Sequence, residues 1–291
     1  GLQLYVRKVF ITDHCEALIP QYLRFLKGVV ESADLPLNIS RETLQDNRLI
    51  RTIRNNVVKK VLDKLAHMLE NDRDRYVTFW NSFGRVLKEG VHLDIANRDK
   101  LQELLLFESS TRDQGELVSL KEYRSLMPDS QKAVYYLTGD TREAVAHSPY
   151  LERFRKKNID VLFMTDPIDE WVVQNLTEYD GKPLRNIAKG EIDLEEEEDE
   201  EKTEEQKGRL QPVVEAVKNA LGDRVKDVRL SRRLTDSACC LVADEAGLGI
   251  QMEKILKAIH QEVPAAKRIL ELNPDHPLVQ TMGSIVEKDG E

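Results

Sequence analysis

One arginine near the start of the chain stands where the local electrostatic field opposes it. Residues 35–45, LPLNISRETLQ, predict an extended entry and then a long helix, because Pro36 disfavours helical backbone before it and Ser40 is a good N-cap. Arg41 would be the first helical residue, where a cation faces unsatisfied N–H groups at a cost of about 0.3–1 kcal/mol. An arginine in this position indicates an anionic partner, either a carboxylate elsewhere in the fold or a phosphate from outside.

The other residues that could do chemistry do not add up to a catalytic site. The sequence contains no Walker-type loop, no GxGxxG after a strand and no GxSxG elbow. Asp166, Asp169 and Glu170 flank Pro167, which is more typical of a helix cap than of an acid–base pair. The adjacent Cys239–Cys240 pair lies in a predicted strand, where thiols are usually buried and inert. The six histidines lack paired ligand spacing, so no metal site is predicted.

Three long segments in series resemble one protein family. The motif at 35–45, preceded by LYVRKVFI at 4–11, resembles the middle domain of the ninety-kilodalton heat-shock chaperones, in particular their bacterial HtpG type. Residues 135–171 and 271–279 are similar to later signatures of the same family, in the same order. Long matches in series are far more specific than a single short motif.

The resemblance gives Arg41 a role. In this family a loop arginine reaches the terminal phosphate of ATP, which is held with Mg in a separate N-terminal domain, and by position that residue is Arg41. Asn38 and Gln45 match polar neighbours of the same loop and helix. The resemblance therefore implies a catalytic group of Arg41, Gln45 and Asn38, with Arg41 contacting the nucleotide as an arginine finger does. We expect the full-length protein to be an ATPase, and this chain alone to bind no ATP and to be inactive.

The resemblance also implies that the chain binds unfolded or partly folded client proteins. Six positions match the residues that contact clients in the family: Glu170, Trp171, Leu248, Met252, Ile255 and Leu256. Methionine and branched aliphatic side chains suit such a surface because they repack against many shapes. The alternative is that these side chains form ordinary domain core. If they are a client surface, Trp171 and the stripe at 248–256 should be partly exposed and face one cleft.

Composition limits the partners and the compartment. Residues 191–206 hold eleven acids and one lysine, so the remainder of the chain is nearly neutral and shows no basic stripe for nucleic acid. No apolar run approaches the roughly 18 residues that span a membrane, and no signal peptide begins at Gly1. Three cysteines, two of them adjacent, indicate a reducing, cytoplasmic location.

Hydrophobic periodicity predicts the elements of the first two thirds of the chain. A strand covers 2–11 with a break at Arg7–Lys8, and a short helix and loop follow over 16–30. A long helix is predicted from Arg41 to about Asn71. Further helices over 72–107 carry the stripe Tyr76, Phe79, Trp80, Phe83 and Leu87, and Gly90 is the predicted end of the helix that carries it.

The following region predicts a strand–helix–strand unit. Strands over 133–139 and 159–165 are separated by helix at 141–157, interrupted at Ser148–Pro149, and such units are normally parallel. A helix to about Tyr179 comes next.

After the acidic run, the sequence predicts a helix over 210–221, strands over 225–230 and 239–243, and a helix over 250–259. Pro264 ends that helix, and a last helix leads to NPDHP.

These elements predict a mixed α/β fold with two αβα units joined by a helical connector, followed by an α+β C-terminal domain. The expected boundaries are 1–107 for the larger unit and connector, 108–190 for the smaller unit, 191–209 for an acidic linker or the polar start of a helix, and 210–291 for the C-terminal domain.

The resulting hypothesis is a fragment of an ATP-dependent chaperone that lacks its N-terminal ATPase domain, the first strands of its middle domain and its dimerisation helices. The full-length protein would be a homodimer. The alternatives are a protein–protein interaction module with no part in ATP turnover, and an independent enzyme, against which the missing site argues.

Overall fold

A computed structural model describes residues 1–36, 47–192, 194, 197–258, 260–261 and 266–289. These residues form a mixed helix-and-sheet fold, which confirms the predicted α/β class. They divide into two compact units. The first unit comprises residues 1–106, 119–122 and 171–176, and the second comprises 107–118, 123–170 and 177–291. The four-part division proposed from the sequence stays a prediction.

The first unit contains a three-stranded sheet in the order β2-β1-β3. Its strands are β1 (Leu2–Val6), β2 (Val9–Thr12) and β3 (Gly28–Ser32). The predicted break at Arg7–Lys8 is confirmed as a tight turn, because both residues have left-handed backbone with φ of 48° and 66°. β3 is not predicted from the sequence, which indicates only helix and loop there. It pairs in parallel with β1, so its partner lies far away in the chain.

Three helices pack in the first unit: α1 (Arg48–Asn71), α2 (Arg73–Leu93) and α3 (Arg98–Gln102). The predicted start of the long helix at Arg41 lies outside the described residues; within them, α1 begins at Arg48. Asn47 caps it, and its side chain accepts hydrogen bonds from the N–H groups of Leu49 (2.8 Å) and Ile50 (3.4 Å). Asparagine is as good an N-cap as serine. The predicted cap at Ser40 lies outside the described residues.

The aromatic stripe of α2 faces the interior in part. Tyr76, Trp80 and Leu87 are buried, whereas Phe83 remains exposed. The predicted helix end at Gly90 is wrong, since α2 continues to Leu93. This glycine serves packing instead: a Cβ at Gly90 would lie 2.9 Å from the Tyr22 ring and from the Leu101 side chain.

A six-stranded sheet has the order β5-β4-β7-β6-β9-β8. Its strands are β4 (Leu106–Ser109), β5 (Val118–Ser119), β6 (Val134–Thr138), β7 (Leu162–Met164), β8 (Glu178–Tyr179) and β9 (Lys182–Asn186). β6 and β7 pair in parallel, which confirms the predicted strand–helix–strand unit. β9 also pairs in parallel with β6, on its other side.

Short helices connect these strands: α4 (Leu120–Leu126), α5 (Arg142–Ala146), α6 (Glu152–Lys156) and α7 (Asp169–Asn175). The predicted interruption is confirmed, since Ser148 caps a 3-10 turn over Pro149–Leu151. α7 ends before the predicted Tyr179, because that residue joins the β8–β9 hairpin.

The last part of the second unit contains a further three-stranded sheet in the order β10-β12-β11, which we call the second sheet of this unit. Its elements are α8 (Glu197–Leu221), β10 (Asp227–Leu230), β11 (Cys239–Val242), α9 (Ile250–Ala258), β12 (Ile269–Leu272) and α10 (Pro277–Asp289). The helix predicted before NPDHP is wrong, because β12 is the central strand and has a partner on each side. α8 begins within the acidic run, which supports the polar start of a helix over a linker throughout 191–209. Cys240 is buried as predicted, but Cys239 is exposed.

Candidate functional site

The residues proposed to contact a nucleotide, Asn38, Arg41 and Gln45, lie outside the described residues. Of the six proposed client contacts, Trp171 belongs to the first unit. The other five belong to the second unit: Glu170, Leu248, Met252, Ile255 and Leu256. That both groups face one cleft therefore stays a prediction.

Trp171 lies in the first turn of α7 and is partly exposed, as expected. Its carbonyl accepts a hydrogen bond from Asn175 Nδ2 at 2.8 Å, and Arg98 donates to Asn175 Oδ1 at 3.3 Å. The adjacent Val172 is fully buried. These contacts fix the backbone that carries the indole, while the residue as a whole stays partly exposed.

The apolar side chains of segment 247–258, which includes α9, differ in their exposure. Leu248 is 38% exposed, and Ile255 and Leu256 are half-buried. Met252 is only 5% exposed, so the expectation that it is available at the surface is wrong. Its neighbour Glu253 is also buried, which shows that this turn of α9 faces inward.

Arg268 anchors the inward side of α9. Its guanidinium donates to the Leu248 carbonyl at 3.0 Å and forms a close ion pair with Glu253. The other Glu253 oxygen accepts from the N–H of Ala266 at 3.3 Å. Because Arg268 immediately precedes β12, these contacts tie α9 to its own sheet.

The opposite side of α9, which we call its outward side, contacts Asp140 just after β6. Lys189, just after β9, contacts the Gly247 carbonyl that precedes α9. Asp140 accepts hydrogen bonds from Gln251 Nε2 (2.7 Å) and from Lys254 Nζ, and these two donors hold the pKa of Asp140 below its usual range. Lys189 Nζ donates to the Gly247 carbonyl at 3.0 Å. Between these contacts lies a cavity of about 170 Å³. Its lining includes Leu137, Thr138, Val145, Ala188, Ile250 and Gln251.

Glu170 is buried beside this region, and its proposed contact with clients stays a prediction. Burial raises the pKa of Glu170, although a hydrogen bond from Thr138 and the charge of Lys189 act in the other direction. Its Oε1 atom has no hydrogen-bond partner among the described residues. A Cβ added at Gly249 would lie 3.9 Å from that oxygen and 3.2 Å from Lys189 Cε, so α9 begins directly over this pair.

The rejected acid–base pair near Pro167 has a local structural use. Asp169 Oδ2 accepts a hydrogen bond from the N–H of Asp166 at 3.0 Å, which closes the turn that leads into α7. Within the described ranges, no three histidine, cysteine or acidic side chains group as metal ligands would.

A buried arginine, not predicted from the sequence, joins the second sheet to the segment that follows β9. Arg233 is 1% exposed, and its guanidinium donates to both carboxylate oxygens of Glu271, at 2.8 and 3.0 Å. It also donates to the carbonyls of Ile187 and Gly190. Arg229 donates to the same carboxylate at 2.7 Å. The sequence signal that could have indicated this buried ion pair is the glutamate between apolar residues in ILEL at 269–272.

Glu152 makes a second connection to the same sheet, from α6 to the loop before β11. Its carboxylate accepts from the N–H groups of Thr235 (2.8 Å), Asp236 (2.8 Å) and Ser237 (3.1 Å), and from the Ser237 hydroxyl. Burial alone would raise the pKa of Glu152, but these hydrogen bonds outweigh it and lower that pKa. With Arg233, they define what we call the junction: Glu152, Arg233 and Glu271 with their backbone partners.

No helix in the described part of the chain is both long and apolar enough to cross a lipid bilayer.

Comparison with known proteins gives a consistent result along the whole chain. The family model described as Hsp90 protein matches residues 1–291. The chain is 56% identical over 293 residues to a protein of Geobacter sulfurreducens named chaperone protein HtpG, covering 99% of this chain and 45% of that protein. Proteins of the same name from Magnetococcus marinus and Legionella pneumophila are 48% and 47% identical, covering 99% and 98% of this chain and 46% of each relative. The chain thus spans about half the length of the curated relatives it matches.

Proposed function

The chain belongs to the Hsp90 protein family, and from this premise we propose that it is the central part of a molecular chaperone that binds unfolded or partly folded proteins. The observation that carries the proposal is the continuous match to relatives named as chaperones over nearly all of its length. The exposed apolar side chains on two of its helices support the same role, because such surface is unusual on a protein unless it binds something.

We assign client contact to Trp171 in the first unit and, in the second unit, to the apolar surface of Leu248, Ile255 and Leu256. Leu248 is 38% exposed and the other three side chains are half-buried, and each offers apolar area. A surface of this kind holds apolar segments weakly and without sequence preference. Met252 and Glu170 support this surface from inside, since both are buried.

Suppression of aggregation tests this assignment. The double variant Trp171→Arg/Leu248→Ser should hold a chemically unfolded enzyme less well, while its Tm changes by less than about 2 °C. Leu126→Ser is the matched control, because Leu126 is an exposed leucine outside the proposed surface. Equal suppression by the double variant and the control would contradict the proposal. Met252→Ser should instead melt the second unit, because it places a hydroxyl and a cavity in the interior.

We further propose that Arg41 contacts the terminal phosphate of ATP held with Mg by a nucleotide-binding domain of the longer protein. Asn38 and Gln45 would orient that contact. The support is the family membership and the position of Arg41 within the matched motif at 35–45. The guanidinium would stabilise charge on the transferring phosphoryl group, for which its planar fork of donors is suited. Cytoplasmic location and homodimer formation by the longer protein belong to the same proposal.

Turnover measurements test Arg41. In a chain that includes the nucleotide-binding domain, Arg41→Ala should lower turnover by ~10³-fold or less and leave ATP affinity nearly unchanged. Arg41→Lys should rescue little, since a lysine cannot bind the phosphate through two parallel hydrogen bonds. Normal turnover in the alanine variant would assign Arg41 to a structural salt bridge. The 291-residue chain alone should not hydrolyse ATP.

A further inference from the structure

Helix α9 is held on two sides by contacts of different strength. On its inward side the Arg268–Glu253 ion pair has side chains only 14% and 11% exposed. On its outward side the Lys254–Asp140 ion pair has side chains 56% and 55% exposed. Exposed ion pairs contribute little to stability because water replaces them readily, whereas separating a buried pair is costly. If α9 moves, the outward contacts are the ones that break.

Lys189 lies where it can exchange one hydrogen-bond partner for another when the outward contacts of α9 break. Its backbone is fixed, since the neighbouring Ala188 carbonyl accepts from the N–H of Ala243 at 3.0 Å and the N–H of Gly190 donates to the Ala243 carbonyl at 3.0 Å. Only the end of its side chain reaches α9, through the Gly247 carbonyl. The charge of Lys189 also acts on Glu170, whose Oε1 has no hydrogen-bond partner in the described part of the chain. If the Lys189 ammonium leaves the Gly247 carbonyl, Glu170 Oε1 is therefore available to accept its hydrogen bond.

The opening would change what α9 presents to solvent. The buried Leu137 and Val145 line the 170 Å³ cavity on the side opposite Gln251 and Ile250, and Ile250 is already 40% exposed. Ile250 lies on the same segment as the exposed Leu248 and the half-buried Leu256. Moving the outward side of α9 away from the cavity therefore extends the apolar surface already proposed for clients.

We propose that Asp140 and Lys189 form a latch on α9: the helix alternates between a docked state, tied to both residues, and a released state that stays attached through Arg268 and binds clients through a larger apolar surface. This inference rests on the proposed chaperone function, and it assigns Asp140 and Lys189 as positioning residues that act through α9. On release, Lys189 exchanges the Gly247 carbonyl for Glu170 Oε1.

Hydrogen–deuterium exchange of the 291-residue chain, measured without client, tests the latch. Asp140→Lys and Lys254→Asp should each speed exchange of amides 250–258 by about fivefold, the size expected when one exposed ion pair is lost. The swap Asp140→Lys/Lys254→Asp restores the opposite charges and should return exchange to the wild-type rate. Lys189→Met should also speed exchange in 250–258.

A second ion pair in the same unit serves as the control. Lys218 and Asp227 are 2.7 Å apart with side chains 54% and 47% exposed, and neither contributes to the outward contacts of α9. Asp227→Lys should leave exchange in 250–258 unchanged. The latch is overturned if Asp140→Lys has no effect, if the swap does not restore the rate, or if exchange in β12 rises equally, since that reports general loosening.

The client assay separates the latch from the chaperone proposal. Asp140→Lys should suppress aggregation of an unfolded enzyme at lower chain concentration than the wild type does. Unchanged suppression by a variant whose α9 exchanges faster would overturn control of clients by the latch. A wild-type chain that suppresses no aggregation at all would instead refute the proposed function, and the exchange data would still show whether α9 is latched.

Discussion

The junction and the outward side of α9 use the same chemistry in opposite surroundings. In both places a basic side chain pairs with a carboxylate, and a basic side chain donates to a backbone carbonyl. At the junction Arg233 is 1% exposed and satisfies both oxygens of Glu271 and two carbonyls. On α9 the Lys254–Asp140 pair is more than half exposed.

The difference shows how one unit can hold a fixed and an adjustable contact side by side. A buried charge must have all of its partners, because each one lost leaves an unpaired group away from water. The junction therefore has a single arrangement. The exposed pair exchanges its partner for water at little cost, so the position of α9 can respond to a third molecule.

Removing the buried arginine should have the largest effect. Arg233→Met should lower the free energy of unfolding by about 3–5 kcal/mol, because the Ile187 carbonyl loses this donor inside the protein, and Glu271 and the Gly190 carbonyl keep Arg229 but lose Arg233. Urea unfolding of the variant measures this. The double variant Arg233→Met/Glu271→Leu should recover part of the loss, since it removes the stranded carboxylate. If Arg233→Met costs no more than an exposed charge does, the contrast between the two regions fails.

Glu152 should show an intermediate effect that depends on pH. At neutral pH, Glu152→Gln should cost about 1 kcal/mol after allowance for solvent screening, because the charged acceptor of three N–H groups becomes neutral. The folded-state pKa of Glu152 lies below its ordinary value of 4.5. The stabilisation is therefore present above pH 4.5 and is lost as pH falls through the folded-state pKa.

Unfolding curves at several pH values, compared with Glu143→Gln, check this expectation. Glu143 is an exposed glutamate on α5, the helix before α6 in the chain, and serves as the matched control. A constant difference between wild type and Glu152→Gln at all pH values would mean that the carboxylate does not bind the loop as a charged group.

Local signals explain which parts of the fold the sequence predicts. β6 and β7 are short apolar runs bounded by turn residues. The helix interruption at Ser148–Pro149 is predicted by the proline, which disfavours a helix interior. β3 and β12 could not be predicted from local signals, because each is stabilised by partners distant in the chain. The partner of β3 is β1, and the partners of β12 are β10 and β11.

The candidate site was predictable to a similar extent. Family motifs indicated the segment at 248–256 and the position of Trp171, whose partial exposure agrees with the expectation. Burial of Met252 and Glu170 was not predictable, because it depends on packing against parts of the chain that are distant in sequence. The latch likewise depends on Asp140 and Lys254, which are more than a hundred residues apart.

Glu170→Gln should have the smallest effect on stability, and in the opposite direction. Burial holds the folded-state pKa of Glu170 above its ordinary value of 4.5, so the wild type loses stability as pH rises from 4.5 toward that pKa. Glutamine does not ionise and keeps the acceptor for Thr138, so the variant should be slightly more stable than the wild type at neutral pH and equal to it in acid. Glu178→Gln, at an exposed position, is the control.

The same variant sharpens the contrast with the junction. Under the latch proposal, Glu170→Gln removes the charge that receives Lys189 in the released state, so exchange of amides 250–258 should slow or stay the same. If Glu170 were instead ionised and paired with Lys189 in the docked state, losing its charge would destabilise the second unit at neutral pH and loosen α9. If the variant unfolds more readily and exchanges faster, Glu170 therefore belongs to the fixed contacts, like those of the junction, and not to the adjustable contacts of α9.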